Sequence, residues 1–162
     1  MLFRSLQRAG KIQEAVARLD TVIAKYPEMR VPLLRLKFDM LAKTDSVAAT
    51  KLAREIGDKD FKDEPVLLNL LAWTFVDPEG YFKDPDYDLA ISLASRAVEL
   101  TKEKDAAILD TLALAHFKAG HRDEAIALQQ KAVDIARQPG SRLDPQTKKD
   151  IEDRLAMFKK AQ

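Results

Sequence analysis

Two amphipathic helices joined at one glycine, within residues 106–139, constrain the fold of this chain more than any other feature. Apolar residues recur at steps of three and four on both sides of Gly120, so each helix has one face to bury. Gly120 suits the reversal because glycine adopts a left-handed backbone at little cost. Asp123 and Glu124 then place negative charge at the positive end of the second helix. The segment predicts a helical hairpin. Its apolar faces carry Leu109, Leu112, Ala113, His116 and Phe117 in the first helix, and Ala125, Ile126, Ala132, Val133 and Ala136 in the second.

The spacing of these residues resembles the tetratricopeptide (TPR) repeat. Four residues of the first helix stand where that motif has W-x-x-L-G-x-x-Y, Ala125 takes the place of its small residue, and Pro139 falls near its closing proline. His116 and Gln129 depart from the aromatic preferences of the motif. The resemblance implies stacked helical hairpins and a role in protein interaction.

The same hairpin pattern is repeated along most of the chain. Asp45 is the predicted N-cap of one second helix and Gly57 its predicted end. The apolar positions predicted from the helical spacing are Leu33, Leu36 and Met40, then Leu68, Leu71 and Ala72, and Leu100. Between Phe75 and Ala90 there are fifteen positions, against nine between His116 and Ala125, so one repeat contains six inserted residues. Because Gly10 matches Gly120, only the tail of a first helix precedes it, and we expect a C-terminal fragment truncated at its N-terminus. The predicted segments are a residual helix over 1–10, a half repeat over 11–27, repeats over 30–57, 64–101 and 105–138, an insertion over 76–88, and a capping helix over 144–160.

The predicted fold class is therefore all-α, a TPR-type helical-hairpin solenoid of about three and a half repeats with a C-terminal capping helix, in one domain of 162 residues. The apolar end of such a stack needs a helix with a polar outer face, which Asp144-Pro145 begins. The truncated N-terminal end has no such cover. We expect it to be the least stable hairpin and a possible surface for self-association.

Composition and charge argue against several classes of function. Lys and Arg number 27 against 26 Asp and Glu, with the signs interspersed, so there is no basic face for nucleic acid. No apolar run approaches the length of a membrane span, and the N-terminus lacks the pattern of a signal peptide. The chain has no cysteine, which excludes thiol chemistry within it but leaves the compartment open.

Few residues are available for catalysis or metal binding. The two histidines, His116 and His121, belong to no catalytic motif, and a structural role is the favoured interpretation of both. Zinc, calcium, phosphate-loop and hydrolase motifs do not occur. We expect no enzymatic activity, no cofactor and no metal site in this chain.

A stripe on the first helices of the hairpins is the candidate binding surface. If TPR geometry holds, these side chains line a groove for a protein or peptide partner. The alternative is that the insertion loop or the terminal helix covers the same stripe, which would make the chain a structural docking or self-association element. The predicted groove residues are Leu34, Phe38, Asn69, Trp73, Asp110, Leu114 and Phe117.

A narrower resemblance covers residues 65 to 162. Two blocks and the final helix together are similar to the C-terminal helical region of some bacterial thioredoxin-like (redoxin) proteins. The blocks are LLNLLAWTFVDPEG and DLAISLASRAVELTKEKDAAILDTLALAHFKAGHRDEAIALQQKAV. This resemblance implies redox chemistry in an upstream domain, which would then be a docking partner, since the CxxC motif of that family has no counterpart here. It is compatible with either the bacterial periplasm or the cytoplasm.

Overall fold

The computed structural model describes residues 12–80 and 82–161, and the predicted residual helix over 1–10 lies outside them. The described residues form α-helices, one 3₁₀ turn (Pro27–Met29) and connecting loops, with no strand among them. This confirms the predicted all-α class. The helices are α1 (Ile12–Lys25), α2 (Arg30–Ala42), α3 (Ser46–Asp58), α4 (Pro65–Val76), α5 (Tyr87–Leu100), α6 (Ala106–Lys118), α7 (Arg122–Ala136) and α8 (Pro145–Lys160).

The helices group into two compact units. The first contains residues 12–61 together with 82–83, and in it α2 packs against both α1 and α3. Each helix contributes apolar side chains at three- and four-residue steps, as the amphipathic pattern predicts. The fully buried side chains of this unit include Leu19, Phe38, Met40, Ile56 and Phe61.

The second unit contains residues 62–80 and 84–161. Consecutive helices pack as α4 on α5, α5 on α6, α6 on α7 and α7 on α8, and α4 also contacts α6. The predicted seam of the hairpins is buried at Leu68, Leu71 and Ala72 in α4 and at Leu109 and Ala113 in α6. None of the helices in the described ranges is both long and apolar enough to cross a membrane.

Aspartate side chains begin four of these helices by accepting hydrogen bonds from backbone N–H groups that have no partner inside the helix. Asp45 accepts from Ala48 N at 2.9 Å, and Asp144 accepts from the N–H groups of residues 146 and 147 at 3.0 Å. Both caps were predicted from the sequence. Asp86 and Asp105 do the same for α5 and α6.

Three expectations for individual residues are wrong. Leu100, placed in the buried stripe of α5, is 39% exposed because it is the last residue of that helix. Gly57, expected to end α3, is buried within the helix, which continues to Asp58. Leu36, expected to be buried in α2, is only half-buried, and Leu34 is buried instead.

Gly120 has the left-handed backbone that the sequence predicts, with φ of +88°. No atom lies within 4 Å of the position that a β-carbon would occupy, so backbone strain is the main cost of a side chain here. We expect Gly120→Ala to lower the free energy of unfolding by about 1 kcal/mol. Gly120→Asn should cost less, because asparagine tolerates this conformation better. Urea denaturation of the two variants would measure the difference, and equal losses would contradict the argument.

Candidate functional site

A cleft of about 780 Å³ lies between α6 and α8 in the second unit. Its apolar lining comes from α6, α8 and the loop after α4, and charged side chains of both signs surround it. Its volume is in the range of sites that hold small ligands. The cleft is lined by Pro78, Leu114, Phe117, Lys118, Asp150, Asp153, Arg154 and Met157.

A buried polar network fixes one wall of this cleft. The Asp110 carboxylate on α6 accepts a hydrogen bond from Gln129 Nε2 of α7 at 2.5 Å, and the same nitrogen donates to the Ile151 carbonyl of α8 at 2.9 Å. Arg154 of α8 donates to the other oxygen of Asp110. Because buried polar groups need such partners, the network ties three helices in one arrangement.

Aromatic packing and a helix-end contact hold α8 at its other end. The rings of Phe117 and Phe158 stack with centroids 4.2 Å apart and planes 12° apart. The Arg122 guanidinium donates to the carbonyl oxygens of Phe158 and Lys159, at 3.1 and 2.8 Å. These carbonyls lie in the last turn of α8, where a cation stabilises the helix end. The ring stacking and these hydrogen bonds therefore hold α8 in a fixed position against α6 beside the cleft.

Trp73, the chain's one tryptophan, is half-buried on α4. The Arg154 guanidinium carbon lies 5.6 Å from the centre of its ring, close enough for a cation–π contact. Arg154 therefore contacts two of the predicted groove residues, Trp73 and Asp110. On the same helix, Asn69 Oδ1 is buried without a hydrogen-bond partner among the described residues.

The seven predicted groove residues are distributed between the two units. Leu114 and Phe117 line the cleft itself, and Trp73 and Asp110 contact its Arg154. Leu34 and Phe38 are buried side chains of α2 in the first unit. Leu34, Phe38, Asp110 and Leu114 are buried, whereas Asn69, Trp73 and Phe117 are half-buried.

Several cleft or network residues were not among those singled out from the sequence, namely Gln129 and Arg154 of the network and Lys118, Asp150, Asp153 and Met157 of the cleft lining. Gln129 was noted only as a departure from the TPR motif, yet it is fully buried. Arg154 could have been found, because it lies three residues after Ile151 and four before Phe158, on the side of α8 that is buried. No signal distinguished Met157 from the other exposed residues of α8.

These helix pairs define an all-α protein built from helical hairpins of the TPR type. In a comparison with protein families, residues 106–138, about a fifth of the chain, match the model of the tetratricopeptide repeat. This match covers α6 and α7, the hairpin from which the resemblance was drawn, and it confirms the TPR-type interpretation. No curated protein and no solved structure matches the chain.

Proposed function

We propose that the chain is a non-catalytic protein–protein interaction module, and that the α6–α8 cleft receives a side chain of a partner peptide. The main support is the cleft itself, where Leu114, Phe117 and Met157 offer apolar contact next to charged groups. Apolar pockets with a few polar groups at the edge are typical of peptide recognition. The TPR match supports the same function class, since such repeats generally mediate protein interactions.

The mixed charge of the cleft rim bears on the kind of peptide expected. Arg154 is paired with Asp110, so the remaining charged lining consists of Lys118, Asp150 and Asp153. The rim thus carries one positive and two negative groups. We expect the preferred peptide to insert an apolar side chain, with a basic residue beside it to face the two aspartates.

A matched pair of methionines makes this proposal testable. Met157 lines the cleft and Met29 lies in the 3₁₀ turn of the first unit, and each is 46% exposed. We expect peptides selected from a displayed random library to lose at least about tenfold in affinity for Met157→Glu, because the bound apolar side chain would cover the new carboxylate and remove its hydration. The affinity for Met29→Glu should stay within about twofold.

Fluorescence anisotropy of the selected, labelled peptides would measure both affinities, and circular dichroism would check that the variants fold. Selection of no peptide, or peptides that bind Met157→Glu as well as the wild type, would rule out the cleft as the binding site. Equal loss in both variants would point to a general effect of added negative charge.

The alternative function is a structural docking or self-association element. It is favoured by one observation, that α8 covers Asp110 of the predicted stripe and engages it through Arg154. In that case the stripe serves the packing of the chain's own helices, or of an upstream domain, rather than a free partner. Sedimentation that depends on protein concentration, together with failure of the peptide selection, would favour this alternative.

We further propose that the chain is the C-terminal region of a thioredoxin-like protein. The support is the family resemblance over residues 65 to 162, which carries no redox residue onto this chain. Any redox activity would belong to an upstream domain. Recovery of the full-length gene tests this directly, because a CxxC-bearing domain upstream is expected and an upstream domain of another class would rule the proposal out.

A further inference from the structure

The chain's two histidines meet at the turn between α6 and α7. His116 lies in the last turn of α6 and His121 is the N-cap residue of α7, where its side chain makes no capping hydrogen bond. Their Nδ1 atoms are 3.3 Å apart, with ring centroids 5.5 Å apart and planes tilted by 52°.

The backbone of the turn holds the two rings together. The His121 N–H donates to the His116 carbonyl at 2.9 Å, and Gly120, between them, has the left-handed conformation that brings the chain back. This i→i+5 bond is typical of a helix that ends at a glycine. The closeness of the two rings is therefore set by the hairpin and not by flexible side chains alone.

The separation of the Nδ1 atoms fits two ligands of one metal ion. Imidazole nitrogens bind zinc at about 2.0–2.1 Å in tetrahedral geometry, which places two of them about 3.3–3.4 Å apart. A hydrogen bond between the rings would use the same two nitrogens, so either a proton or a metal ion can lie between the Nδ1 atoms. Adding a suitable metal ion distinguishes these two alternatives.

We propose that His116 and His121 bind a divalent transition metal ion, of the class of Zn²⁺, Ni²⁺ or Cu²⁺, through their Nδ1 atoms. Imidazole is a preferred ligand of these ions, whereas Mg²⁺ and Ca²⁺ prefer oxygen. The described residues contain no group of three or more histidine, cysteine or acidic side chains arranged to hold a metal, so water completes the coordination. This site revises the sequence-based expectation of no metal site.

The surroundings act on the titration of one of the two rings, that of His116. Burial, and then the nearby His121, lower the pKa of His116, while Glu124 acts in the opposite direction. The Glu124 carboxylate places negative charge close to the proposed cation.

Binding would join the end of α6 to the start of α7 across the hairpin that matches the TPR model. A ligand that binds only the folded chain stabilises it. We therefore expect saturating Zn²⁺ or Ni²⁺ to raise the Tm of the protein by several degrees, with one ion per chain. Cu²⁺ should bind more tightly than either, following the usual order for nitrogen ligands.

The experiment uses protein without a histidine tag, titrated with ZnCl₂ and NiCl₂ in a non-chelating buffer and followed by calorimetry. The absence of cysteine and of further histidines means that no thiolate and no other imidazole in the chain competes. We expect His116→Phe and His121→Asn each to reduce the affinity at least tenfold. Phenylalanine keeps an apolar ring at a half-buried position, and asparagine is a good N-cap residue, so both variants should fold.

Lys131→Ala, at an exposed position of α7 ten residues after His121, is the control and should bind as the wild type does. MgCl₂ should give no binding signal. Failure of Zn²⁺ and Ni²⁺ to bind below millimolar concentration would overturn the proposal and leave a hydrogen bond between the rings. Equal affinity in wild type, His116→Phe and His121→Asn would also overturn it, because the metal would then be held by carboxylates elsewhere.

Discussion

Phe158→Ala is expected to lower the free energy of unfolding by roughly 3–5 kcal/mol, a large part of the stability of a domain this size. Phe158 is fully buried on α8 and stacks on Phe117 of α6. Truncation removes this contact and leaves a cavity that the fixed helix pair cannot close. Since α8 has few other large apolar anchors, Ile151 and Leu155 being the others, its docking should weaken most.

The neighbouring residue provides the control. Met157 precedes Phe158 but faces away from the core, with 46% of its surface exposed. Met157→Ala should cost less than about 1 kcal/mol. Urea denaturation followed by circular dichroism gives both values, and amide exchange should show faster opening of α8 in Phe158→Ala alone. Similar losses at the two positions would mean that α8 presents another face to α6.

Local signals explain why the helices could be predicted from the sequence. The hairpin of α6 and α7 combines a cap at Asp105, a left-handed glycine at Gly120 and an apolar repeat on each side, and all three act within a few residues. These features can be recognised from the local sequence without knowledge of the fold, and they predict the same hairpin. The exposed Leu100 shows the limit, because a residue that fits the apolar stripe of a helix can lose its cover at the last turn.

The polar network at the cleft could not be predicted in the same way. Gln129 and Arg154 lie 19 and 44 residues after Asp110 along the chain, and each of the three looks like an ordinary helix residue by itself. Only the packing of α8 against α6 and α7 brings them into hydrogen-bonding distance. The sequence therefore indicated a stripe of candidate residues but not the charged side chain that organises them.

Arg154 is the second position where we expect a large effect. It donates to Asp110, and the two side chains are 16% and 10% exposed. Arg154→Met keeps the aliphatic stem but leaves a nearly buried carboxylate with Gln129 as its remaining partner in the network. We expect a loss of roughly 2–4 kcal/mol, because an uncompensated charge in such a place is costly.

Removing the charge of Asp110 should cost less stability than removing the charge of Arg154. In Asp110→Asn the Arg154 guanidinium loses its charged partner, but it lies at the cleft and its long side chain can extend into water. We expect a loss of roughly 1–2 kcal/mol in the free energy of unfolding. The double variant should lose less than the sum of the two single losses, since neither charge is then left alone.

A second arginine–carboxylate pair, between the C-cap residue of α7 and α8, gives the control for this cycle. Arg137 donates to Glu152 of α8 at 2.7 Å, but both side chains are largely exposed, so Arg137→Met should leave the stability unchanged. Urea denaturation of the wild type, Arg154→Met, Asp110→Asn and the double variant gives the four free energies of the double-mutant cycle. Because Trp73 is the one tryptophan and Arg154 lies over its ring, its emission should shift in Arg154→Met and stay constant in Arg137→Met. If the two arginine variants behave alike in both measurements, the Asp110–Arg154 pair is no more than a surface contact, and α8 is held on α6 by apolar packing alone.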